Sequence, residues 1–197
     1  MSAETLPLGI ESPIAPTPGR DVRKWTERDM LDLIHARHAA KGGNGPRYVV
    51  AEHVRNEGGF GGYDREHMLR TGKRTTLRTA DALVIDLWPS SGHLIHGFEV
   101  KVSRGDWLTE LRDPTKAEAF KAYCHRWWLV APDGVVHDDL PDGWGLLSPD
   151  RNGALRVKRR APQLAPEPVP LGLMASWLRS ATKTAVNQSF RPERGAE

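Results

Sequence analysis

Ala82-Leu83-Val84-Ile85 is an uninterrupted apolar run, and it restricts the fold more than any other stretch. A strand without apolar–polar alternation is buried on both faces, so Thr79 to Trp88 belongs near the centre of a sheet. An acid, Asp81, stands at its head. After the turn Pro89-Ser90-Ser91-Gly92 comes a partner strand, Leu94 to Val102, which carries Glu99-Val100-Lys101. Alternation along that strand puts Glu99 and Lys101 on one side and Phe98, Val100 and Val102 toward the core. Charged groups avoid such strands unless they are paired, hold a metal or do chemistry.

The remaining elements follow from punctuation. Thr26 opens a helix to about Ala40, with Met30, Leu31, Leu33 and Ile34 as its apolar stripe. Tyr48 to Val54 reads as a strand. The span from Asn56 to Thr76 is long, glycine-containing and charged, as functional or mobile loops are. Ser103, with Asp106 three residues on, resembles a capping box that starts a helix to about Leu111. A second helical piece runs to about Cys124. Trp127 to Ala131 is a strand closed by Pro132-Asp133-Gly134, and Trp144 to Leu147 with Leu155 to Arg160 reads as a hairpin. Leu171 to Leu178 makes a last short helix. The order is α/β with a mixed sheet.

At 197 residues, with 39% hydrophobic and 27% charged, the chain suits one domain with tails. The boundaries expected are a disordered lead-in over 1–22, a domain over 23–162, and a Pro-rich connector, short helix and tail over 163–197. One cysteine, Cys124, excludes an intramolecular disulfide and a thiolate-rich zinc site. The N-terminus has no signal-peptide pattern, and no stretch nears the roughly 20 apolar residues of a membrane helix. A cytoplasmic protein without a membrane partner is the expectation. Net charge is only +3, but basic residues cluster at Arg65, Arg70, Lys73, Arg74 and Arg78, and again at Arg156, Lys158, Arg159 and Arg160. Such clusters either contact phosphates or form a solvated face.

Asp81 and Glu99 on neighbouring strands can converge on a hard cation such as Mg²⁺ or Mn²⁺, with the Val100 carbonyl as a further oxygen. Lys101 beside them would orient or deprotonate an attacking water, or stabilise the charge of a phosphoryl transition state. The competing reading is structural: Glu99 and Lys101 simply pair with each other or with Asp81.

Asp81, seventeen intervening residues and Glu99-Val100-Lys101 resemble the motif of the PD-(D/E)XK nuclease superfamily, with Ala80 where the namesake has proline. Lys101 to Trp107, Lys116 to Tyr123 and the strand Trp127 to Ala131 extend the likeness to MmcB-like DNA repair proteins and related phage-type nucleases, over roughly residues 25 to 132. The resemblance implies a restriction-endonuclease-like core (helix, three strands, helix, strand), followed here by a C-terminal hairpin and short helix. It implies Mg²⁺- or Mn²⁺-dependent hydrolysis of DNA in repair or phage-type processing, or a non-catalytic nucleic-acid-binding module that keeps the fold.

Asp81, Glu99 and Lys101 are the catalytic candidates. Many members add an acid from the first helix, for which Glu27 is the match; its other reading is a complement to the helix dipole. Glu52, on the strand face of Tyr48, Val50 and Val54, competes for that place in the metal shell. Arg78, Arg104 and Lys116 are candidate contacts to nucleic acid, and Ser103 and Asp106 are expected to cap a helix. The pairs His35/His38 and His93/His96 lack a carboxylate at a recognised zinc spacing and are not read as metal ligands.

Overall fold

Thr26 caps the first helix, α1 (Glu27–Arg37), through a reciprocal box. Its hydroxyl accepts the Asp29 N–H at 3.1 Å, and the Asp29 carboxylate accepts the Thr26 N–H at 3.0 Å. The helix stops before the expected Ala40 because His38 leaves the helical conformation and its Nδ1 lies 2.7 Å from the Ile34 carbonyl. The computed structural model describes residues 24–42, 45–56, 77–113 and 115–190. The expected lead-in over 1–22, the cluster Arg65, Arg70, Lys73 and Arg74, and the end of the tail lie outside the described residues.

Two minimal strands, β1 (Lys41–Gly42) and β2 (Gly45–Pro46), lead into a six-stranded mixed sheet. Its order is β3 (Tyr48–Arg55), β4 (Thr79–Asp86), β5 (Ile95–Val100), β6 (Arg126–Val130), β7 (Trp144–Pro149) and β8 (Leu155–Arg159). The first three strands are antiparallel neighbours, β5, β6 and β7 run parallel, and β8 returns antiparallel. The hairpin read from sequence therefore extends the central sheet rather than standing apart. Between β5 and β6 lie α2 (Arg104–Leu111), capped by Ser103 as expected, and α3 (Thr115–Lys121).

Strand β6 shows why the sheet needs two covers. Trp127 and Leu129 join the cluster that includes Trp107, Phe120, Leu173 and Trp177 from the helices after β5. Trp128 and Val130 join the opposite cluster with Met30, Leu31 and Ile34 of α1. Two-faced burial of β4 is met the same way, with Leu83 on one side and Ala82 and Val84 on the other.

The last helix is not short. α4 spans Leu171–Ser189, 19 residues, and lies against the edge strand β3. The backbone N–H of Glu52 donates to the Thr184 hydroxyl at 3.0 Å, so the helix covers an edge that would otherwise offer unpaired donors. The polar run Ser180 to Thr184 hides this helix in the sequence, because one buried threonine replaces the expected apolar contact. No helix among the described residues is long and apolar enough to cross a membrane.

Candidate active site

Where β4 and β5 part, a side chain takes over the ladder. The described pairing ends at Ala82 and Phe98. One step beyond, the Val100 N–H donates to Asp81 Oδ2 at 2.7 Å. Val100 on its other side keeps to β6, and the next N–H, that of Lys101, donates to the Val130 carbonyl at 3.1 Å. Asp81 is thus fixed at the open end of the central strands, across from Glu99.

Glu99 is buried, and so is Glu110 of α2. The Lys101 ammonium donates to Glu99 Oε1 and lies 3.4 Å from Glu110 Oε2. Burial, and then repulsion from Asp81, push the Glu99 carboxyl up to about 8. Burial also raises Asp81, against the Val100 N–H and the Lys101 charge, which favour its ionised form. Burial works against the Lys101 ammonium, but Glu99, Asp81 and Glu110 outweigh it and hold its pKa above the ordinary value. Lys101 is therefore a fixed cation among three acids.

A second convergence involves Asp81. Glu27 is the first residue of α1, and His53 is the β3 residue between the pairs Glu52–Ala82 and Val54–Ala80, hence across from Asp81. Ligand atoms of Glu27, His53 and Asp81 lie within 4.8 Å of one another, with His53 Nδ1 3.9 Å from Glu27 Oε1. His53 holds a positive φ of 51°, a conformation costly for a residue with a Cβ. Two carboxylates and one imidazole suit a divalent cation. Asp81, its charge opposed by burial and by Glu27, would gain from one. Glu99 stands outside this group, drawn to Lys101. The sequence reading missed His53; its signal was a histidine set in the apolar strand Val50-Ala51-Glu52-His53-Val54.

Glu52 does not reach the cluster. Its oxygens accept from Arg28 at 2.6 and 2.7 Å, and His35 Nε2 lies 2.7 Å away. Burial would raise this carboxyl, but His35 and Arg28 hold it far below the usual range. The expected face was also wrong for Val54. Tyr48 and Val50 pack toward α1, whereas Val54 sits in the opposite cluster, because the positive φ at His53 breaks the alternation.

The basic candidates separate. Arg104 is committed to Asp139 at 2.7 Å and to the Val135 carbonyl at 3.1 Å. Arg78 donates to Asp113 at 3.1 Å and, with Lys116 and Glu99, lines a recess of about 220 Å³. In the second basic cluster, Arg156 pairs with Asp150, Lys158 with Asp133, and Arg159 donates to the Leu140 carbonyl. His38 is a core histidine, edge-on to Tyr48 and Phe98 and pushed by burial down to about 4. Asp86 is buried and paired with Arg47 at 2.7 Å.

The chain matches no protein-family model and no curated protein. Among solved structures it is similar to a protein of unknown function from Silicibacter pomeroyi, with a TM-score of 0.51 and 14% identity, over 89% of this chain and 100% of that one. That likeness is one of fold.

Proposed function

We propose that this protein is a metal-dependent nuclease that hydrolyses DNA phosphodiesters, built on a restriction-endonuclease-like core of the PD-(D/E)XK type. The observation that carries the reading is the open end of the β4–β5 ladder, where Asp81 meets Glu99-Val100-Lys101 through the Val100 N–H. Fold alone would not support it, because one fold hosts many activities.

Asp81 and Glu99, with Glu27 and His53 beside Asp81, are the side chains that would hold Mg²⁺ or Mn²⁺. Such a cation supplies Lewis-acid stabilisation of the charge developing on the phosphate. Lys101 keeps its proton, since three acids surround it, so its part is electrostatic: it orients the attacking water and balances charge on the phosphoryl oxygens. Glu110 is a positioning residue that holds the ammonium from the α2 side.

The test is incubation with linear, nicked, branched and single-stranded DNA, with Mg²⁺, with Mn²⁺ and with chelator. Glu99→Ala and Lys101→Ala are expected to fold and to lose all cation-dependent cleavage. Loss of folding in both variants would favour a buried ion network instead. Salt-sensitive DNA affinity without cleavage under any divalent cation would favour the non-catalytic binding module.

A further inference from the structure

The last helix, α4, turns much of its apolar surface away from the domain. Its inner face buries Leu173 and Trp177 in the first two turns, but beyond Ala181 the buried contact is Thr184. Leu171, Met174, Leu178, Val186 and the C-cap Phe190 are all exposed, Leu171 by 81% and Phe190 by 82%. Single exposed apolar residues are ordinary, but these are five of the ten large ones exposed among the described residues, and they share one helix.

The outer face also has the spacing of a helix pair. Leu171, Ala175, Leu178, Thr182, Ala185 and Ser189 are all exposed and follow one another alternately by four and three residues, which makes one seam along the helix. The seam holds no charge: Arg179 and Lys183 stand to one side of it. Its two hydroxyls are already spent. Thr182 donates to the Leu178 carbonyl at 3.0 Å and Ser189 to the Val186 carbonyl at 2.7 Å, so the seam can lose its water without leaving a donor unmet.

Bulk alternates along the seam as well. Reversed about Ser180, the middle of the helix, it meets itself large to small: Leu171 against Ser189, Leu178 against Thr182, and Ala175 against Ala185. A two-fold contact between identical chains requires this self-complementarity, and facing layers of large and small residues interdigitate. A fluid bilayer makes no such demand. A helix lying in a membrane surface needs a strongly charged face opposite its apolar one, whereas that side of α4 is packed on β3. Five large side chains at roughly 60–120 Å² each, counted on both copies, would bury about 600–1,200 Å² in total. That is the range of weak, reversible association.

We propose that the outer face of α4 is a homodimer interface, on which two copies of the chain pair this helix antiparallel about a two-fold axis at Ser180. The pairing does not depend on the nuclease reading.

Sedimentation of the full chain over a range of concentrations tests it. The expected result is a reversible monomer–dimer equilibrium with a dissociation constant of about 10–100 μM. Leu178 is 64% exposed, so Leu178→Glu should leave the circular dichroism spectrum unchanged. It should weaken dimerisation at least about a hundredfold, because the two-fold axis buries the new charge twice. Cross-linking reads the direction of the helices. Cys124 is the chain's one cysteine and is buried, so thiols placed on the seam report alone. Under mild oxidation a mixture of Ala175→Cys and Ala185→Cys should form a disulfide-linked dimer, and neither variant alone should. A chain monomeric at the highest concentration, a dimer indifferent to Leu178→Glu, or self-linking of Ala175→Cys alone would overturn the interface. So would a monomer that binds phosphatidylserine vesicles and loses that binding with Leu178→Glu, since the face would then be a membrane contact.

Discussion

Asp81 accepts the Val100 N–H at 2.7 Å, and this bond joins the two halves of the site. It sets a carboxylate where a strand partner would otherwise be, one residue from Glu99 and one from Lys101. Substitutions at Asp81 should therefore separate structure from chemistry. Asp81→Asn retains an acceptor for Val100 and should change stability by less than about 1 kcal/mol, while Asp81→Ala leaves a buried donor unpaired and should cost about 1–3 kcal/mol. Both should abolish cation-dependent cleavage. Denaturant melts beside a cleavage assay check this.

His53 pairs strain with candidate ligation. His53→Gly removes the penalty of a φ of 51° and should stabilise the cation-free protein by up to about 1 kcal/mol. Imidazole suits Mn²⁺ better than Mg²⁺, so the same change should weaken Mn²⁺ binding about tenfold and Mg²⁺ binding much less. Calorimetric titration with each ion, and loss of nitrogen coupling in the spin-echo spectrum of bound Mn²⁺, would show it.

Glu52 serves the fold. Its pairing with Arg28 and His35 holds its pKa below the ordinary value of 4.5, so the folded state binds fewer protons than the unfolded one in acid. Its contribution is complete above about pH 4.5 and fades as pH falls below that value. Glu52→Gln should cost about 2–3 kcal/mol at pH 7 and much less at pH 3, with cleavage per folded molecule unchanged. Thermal melts across pH, alongside cleavage rates at pH 7, measure both halves.

Gly97 is a steric requirement. A Cβ there would fall 2.2 Å from Trp127 Cζ3 and 2.9 Å from Cys124 Sγ, both in the core. Gly97→Ala should destabilise by about 3 kcal/mol or more, the upper range for overpacking, because neither neighbour has room to move. Urea unfolding gives the figure.

Local and patterned features were legible in the chain: α1 opened by Thr26, the unalternating β4, the turn into β5, the cap at Ser103, and Asp81 and Glu99 on adjacent strands. Those follow from side-chain periodicity and from hydrogen bonds spanning three residues, which chain order alone encodes. The rest came from packing. It sent Glu52 to Arg28 and His35, brought His53 to Asp81 by a backbone kink that breaks strand alternation, and lengthened α4 to cover the edge of β3. It also stacked Trp127 on Gly97 and left its N–H unpaired. Each of these is a contact between segments distant in sequence, fixed by which faces meet when the layers pack, and no local pattern carries that information.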